Sequence, residues 1–96
     1  MAIAVEMNFK GGTIEQYEQV IREMGYTHGG AGEPGGLFHW VAATDDGLHI
    51  VDVWTDRATF DRFGQEKLGP TTERLGIEQP EMTFYDVHNF LTEGEA

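Results

Sequence analysis

From Ala2 to Phe9 apolar and polar positions alternate, with Ile3, Val5, Met7 and Phe9 on one side and Ala2, Ala4, Glu6 and Asn8 on the other. This period of two is that of a half-buried strand. Gly11-Gly12 breaks the pattern, Thr13 can cap a helix with Gln16 three residues on, and Ile14, Tyr17, Val20, Ile21 and Met24 then recur at helical spacing. Gly25 stands where that helix should stop. The change from strand to helix spacing happens again between His49 and Phe63.

Leu37 to Thr44 and Leu48 to Thr55 read as strands joined by Asp45-Asp46-Gly47, a hairpin signal. Its loop has either two residues, Asp46-Gly47, or three with a bulge at Gly47, and one residue of slip changes which side chains share a face. Thr55 or Asp56 caps the second helix, whose Phe60 and Phe63 face inward. Gly69-Pro70 interrupts it, and Pro70 can open a short helix that ends at Gly76. Met82 to Leu91 alternates once more, with Met82, Phe84, Asp86, His88 and Phe90 on one side.

Strand, helix, strand, strand, helix, strand predicts one α+β domain over residues 1–96: a ferredoxin-like βαββαβ unit, four antiparallel strands with helices on one face. The other sheet face is left bare. Between Gly25 and Gly36 the chain holds six glycines and a proline and is expected to be a mobile loop. It lacks the Gly-Lys-Ser/Thr ending of a phosphate loop, so a lid over a cavity and simple disorder are its two readings. The acidic tail from Thr92 is expected to fray.

Composition sharpens this picture. A chain of 96 residues buries only roughly 60 to 65% of its unfolded surface, yet 40% of these residues are hydrophobic and 11% aromatic. A partner subunit covering the bare sheet, hence a homodimer, is expected. Net charge is −11, which repels phosphate backbones and anionic lipid heads, so neither nucleic acid nor a membrane is an expected partner. Without cysteine there is no disulfide, thiol nucleophile or thiolate metal site. The start has no basic segment leading into a long apolar core, and no apolar run reaches the roughly 18 residues of a membrane span. A soluble, cytoplasmic protein is the expectation.

The segment Val51–Phe63, followed by Leu68-Gly-Pro70 and Phe84–Phe90, resembles the dimeric α/β-barrel proteins of the antibiotic-biosynthesis-monooxygenase type. The resemblance spans nearly the whole chain, and it implies two sheets packed face to face into an α/β barrel. Its members include oxygenases that act on polyketide phenols without cofactors, heme-degrading enzymes, polyketide cyclases and lactone isomerases. The heme-degrading branch would require a histidine and a tryptophan in the second helical region. Asp56 to Gly76 contains neither, so heme is not expected and no other cofactor is implied.

His28, His39, His49 and His88 are the residues able to exchange protons near neutral pH. His39 and His88 are the candidate bases; their structural reading is a place at a sheet edge or dimer seam, and that of His49 is exposure beside the turn. Asp52 and Asp86 fall at inward positions of their strands, where a carboxylate needs a partner. Asp52 is the candidate acidic member of a site, with a structural ion pair or hydrogen bond as the alternative. No compact ligand spacing points to a metal. Tyr17, Trp40, Trp54, Phe60, Phe63 and Tyr85 could line a cavity for a flat aromatic or polyketide-like molecule, though aromatic residues of a small domain also serve as core. The expected function is a small-molecule enzyme or binder acting on a phenolic substrate, with a cofactor-independent monooxygenase as its sharpest form. A non-catalytic ligand-binding or structural dimer, or a cyclase or isomerase, stands as the alternative.

Overall fold

The computed structural model describes residues 1–92 and 94. The final residues of the acidic tail lie outside the described residues. Strand β1 (Ile3–Lys10) is followed by α1 (Ile14–Glu23), β2 (Gly36–Thr44), β3 (Gly47–Trp54), α2 (Arg57–Phe63), a π-helical turn (Gly64–Leu68), α3 (Gly69–Arg74) and β4 (Glu81–Asp86). The sheet order β2-β3-β1-β4, with every neighbouring pair antiparallel, is the ferredoxin-like arrangement.

Ile3, Val5, Met7 and Phe9 of β1 and Leu48, Ile50 and Trp54 of β3 form the buried core with Phe60. They occupy one sheet face because side chains alternate along each strand. Thr13 and Gln16 close a full capping box at the start of α1. The Thr59 amide donates to the Asp56 side chain at 2.8 Å, making Asp56 the cap of α2.

Four expectations need correction. The hairpin loop is Asp45-Asp46, and Gly47 is already paired with Thr44 on one side and Lys10 on the other. Glycine is required at that paired position: its φ is +145°, and a Cβ there would stand 2.1 Å from the Phe9 carbonyl oxygen. Gly69-Pro70 opens the expected short helix, α3, but leaves no gap in the helical path before it. The chain stays in the right-handed helical region from Phe63 to Gly69, and the Gly69 amide donates to the Gly64 carbonyl across a widened turn. The wider turn accommodates Pro70, which has no N–H to donate and whose ring would otherwise crowd the carbonyl four residues back. The Thr72 hydroxyl caps the Leu68 and Gly69 carbonyls at 2.9 and 3.0 Å. β4 ends at Asp86 rather than Leu91, so its alternation continues past the last strand partner. Asp86 is accordingly exposed at the strand end instead of buried.

The opposite sheet face carries no helix. Phe38, Trp40 and Tyr85 stand on it, between about 40 and 53% exposed.

Candidate functional site

The Asp45-Asp46 turn sets the site, because it puts Thr44 opposite Gly47 and therefore His39 opposite Asp52. A loop of Asp46-Gly47 would have carried His39 two positions along, to face Trp54. Asp52 lies on the helix-facing side of the central strand β3, while His39 is on the edge strand β2. Its imidazole is half exposed, with 44% of the side chain open to solvent. A short irregularity at Leu37 lets β2 rejoin the Trp54 position at Gly36.

The buried Asp52 carboxylate is fully used. Its Oδ1 is 2.5 Å from His39 Nδ1, and its Oδ2 accepts from the Trp54 indole N–H at 3.1 Å. Neutral His39 thus holds its proton on Nδ1, leaving Nε2 as an acceptor. That acceptor meets the Tyr17 hydroxyl at 2.6 Å, and the two rings lie nearly parallel and side by side, their centroids 5.8 Å apart and their planes 11° apart. Tyr17 comes from the inward stripe of α1. Burial, followed by the negative charges of Asp52 and Glu18, pushes its hydroxyl above the ordinary tyrosine value, so it remains a phenol at neutral pH. Trp54, Asp52, His39 and Tyr17 form one continuous chain of hydrogen bonds.

This chain runs along a cavity of about 710 Å³ between α1 and the β2 side of the sheet. Val41, Ile50 and Trp54 line it from the sheet, Val20 and Met24 from α1, and Phe63 and Leu68 from the second helical region. Its lining is mainly apolar with the polar chain at one wall, the usual composition of a site for a small organic molecule. Residues 26–33 of the glycine-rich loop line it as well. They are tied down by Glu33, which accepts from the Tyr26 hydroxyl and from Lys67 Nζ, the latter at 2.8 Å. The Lys67 hydrogen bond, with that of Tyr26, holds the Glu33 carboxyl below its usual value, and Glu33 in turn raises Lys67.

The residues expected to form a site divide clearly. Tyr17, His39, Asp52 and Trp54 are brought together, and Phe63 joins the same lining, 5.0 Å from the Trp54 ring. Phe60 is buried edge-on between Trp54 and Phe84 and belongs to the core. Tyr85 lies opposite Ala4 on the bare sheet face. Trp40 is also on that face by its register, its ring 5.4 Å from the His49 ring, and it borders the cavity at the β2 edge as well. His88 lies beyond the end of β4 and is exposed. His49 is more constrained than a turn residue: its Nδ1 is 2.7 Å from Asn8 Oδ1, and Glu6 is 3.6 Å from its Nε2. Sequence reasoning missed the tie among Tyr26, Glu33 and Lys67, whose one available signal was Glu33 itself, the sole formally charged residue in the glycine-rich stretch. Among the described residues no group of three or more His, Cys, Asp or Glu side chains could hold a metal ion. No helix there is long and apolar enough to cross a membrane.

No protein-family model matches this chain, and no curated protein does. Solved structures do resemble it. SnoaB, a cofactor-independent oxygenase from Streptomyces nogalater, superposes with a TM-score of 0.58 at 19% identity, covering 96% of this chain and 97% of that one. A point mutant of SnoaB gives 0.59 at 20% identity with the same coverage. A candidate antibiotic biosynthesis monooxygenase from Deinococcus radiodurans gives 0.57 at 13% identity, covering 99% of this chain and all of the other. At these identities the likeness is one of fold, and this chain has the fold of the antibiotic biosynthesis monooxygenases.

Proposed function

We propose that this protein is a small-molecule enzyme in which the His39–Asp52 pair removes a proton from a phenolic, polyketide-like substrate held in the cavity beside α1. The observation that carries this reading is the oriented pair at the cavity wall. Asp52 fixes the ring and its tautomer and faces the imidazolium that forms, as a base–orienter arrangement requires. A buried carboxylate satisfied by a tryptophan N–H and a histidine is stable without substrate, so the pair is in place before binding.

In the oxygenase form of the reading, the deprotonated, electron-rich ring reacts directly with dioxygen. The substrate supplies all four electrons that dioxygen takes up: a ring CH2 beside the ionised hydroxyl becomes a carbonyl, one oxygen atom entering the product and the other leaving as water with the two hydrogens of that carbon. The protein contributes deprotonation, orientation and exclusion of solvent, with no cofactor. Support comes from the fold shared with a cofactor-independent oxygenase. The bare sheet face with Phe38, Trp40 and Tyr85 supports a homodimer that closes the barrel.

The test is oxygen uptake with a panel of polycyclic phenols, comparing the wild type with His39→Ala and Asp52→Asn. Oxygen-dependent turnover that falls by about 10²-fold or more in both variants is expected. Turnover that needs no oxygen but still needs His39 would identify a cyclase or isomerase using the same base. Ligand binding with no turnover of any panel member would favour a non-catalytic binder.

A further inference from the structure

Resting on the reading of His39–Asp52 as the base, we propose that Tyr17 is the residue that touches the reacting oxygen and relays its proton to His39. An imidazole has two ring nitrogens, and both are engaged: Nδ1 by Asp52 at 2.5 Å and Nε2 by the Tyr17 hydroxyl at 2.6 Å. No ring nitrogen is left for a substrate. The Tyr17 oxygen, by contrast, gives its one proton to His39 and keeps lone pairs free to accept another. Tyr17 and His39 both line the cavity, and their nearly parallel, side-by-side rings direct the Tyr17 hydroxyl at Nε2.

The step balances without oxidant or reductant. The substrate O–H bond breaks as a new O–H bond forms on Tyr17, while the original Tyr17 O–H breaks and an N–H bond forms on His39 Nε2. The substrate goes from neutral to −1 and His39 from neutral to +1, facing the negative Asp52. Tyr17 is a phenol before and after, and its newly acquired proton lies on the substrate anion as a donor, stabilising the developing charge. Burial and the nearby carboxylates oppose a free tyrosinate, which favours moving both protons together over storing charge on Tyr17.

The relay is tested with 7-hydroxycoumarin, whose anion has its own absorbance band, near neutral pH and below the value at which the free probe ionises. The wild-type complex is expected to show the anion band. Tyr17→Phe, which removes one oxygen and keeps the ring, is expected to bind the probe within about threefold of wild type while the anion fraction falls at least tenfold. A Tyr17→Phe complex as ionised as wild type would overturn the relay and leave the base in place, since His39 would then be acting directly. A His39→Gln complex as ionised as wild type would overturn the base reading and the relay with it. A wild-type complex that keeps the probe neutral, or no binding at millimolar probe, contradicts both. The wild type alone gives an independent readout: the rate of bound-probe ionisation after a pH jump in H₂O–D₂O mixtures should bow with deuterium fraction, as two moving protons require, and a straight line would refute the relay.

Discussion

Replacing Asp52 separates its structural role from its chemical one. Asp52→Ala removes both acceptors at once. His39, with 44% of its side chain exposed, can turn its Nδ1–H to water. The Trp54 indole cannot, because that residue is only 3% exposed. A buried donor left without a partner costs about 1–3 kcal/mol. In a domain of this size each kcal/mol lowers the melting temperature by roughly 4–8 °C. Asp52→Asn keeps one side-chain oxygen for the Trp54 N–H, so its stability loss should stay below about 1 kcal/mol. Neither variant retains a carboxylate facing an imidazolium, and both should lose about 10²-fold or more in rate if His39 is the base. Urea unfolding at one fixed protomer concentration gives the stabilities, since association would otherwise enter the comparison. Equal stability of Asp52→Ala and wild type would refute the packing argument. An Asp52→Asn protein with unchanged turnover would refute the chemical one.

Three further outcomes follow from the same structure. Gly47→Ala should destabilise by about 1–3 kcal/mol from backbone conformation alone, with the close Phe9 carbonyl adding to it, as read by thermal unfolding. Trp40→Glu or Tyr85→Glu should convert a dimer to monomers in sedimentation without changing the circular dichroism of the fold; a wild-type protein that is monomeric at micromolar concentration would sink the face-to-face dimer. The tie of Glu33 to Lys67 and Tyr26 has a defined pH window. The Glu33 carboxyl is held low, so its contribution is present above the ordinary glutamate value near ~4.3 and is lost as pH falls through its lower folded value. Lys67 is held high, so its share is present below about 10.4 and is lost as pH rises through its folded value. Glu33→Gln should therefore speed amide exchange across residues 28–33 at neutral pH and leave that of β1 unchanged.

Much of this architecture is legible in the chain, for physical reasons that also mark where legibility ends. The alternation of β1 and the stripe of α1 are local, periodic and enforced by burial, so Ile3 through Met24 read directly. The turn did not, because Asp45-Asp46-Gly47 satisfies turn chemistry in more than one register. Gly47 fits against the Phe9 carbonyl, brought there by a strand some forty residues earlier, a contact that local turn chemistry does not contain. The continuous helix through Pro70 was hidden for a similar reason: a π turn depends on backbone widening and on Thr72 capping, neither of which has a periodic signature. At the site, Asp52 stood out as a carboxylate at an inward strand position. Its partners were not foreseeable, since the contact of Tyr17 with His39 joins a helix to an edge strand and rests on the register just described.

The most direct test of the central claim is the protonation state of His39 when a phenol occupies the cavity, read from the ¹⁵N chemical shifts of its ring as 7-hydroxycoumarin is added near neutral pH. The expected result is a ring that gains a proton on binding, with both ring nitrogens protonated in the complex. A ring that stays neutral while the probe binds beside it would contradict the assignment of His39–Asp52 as the base.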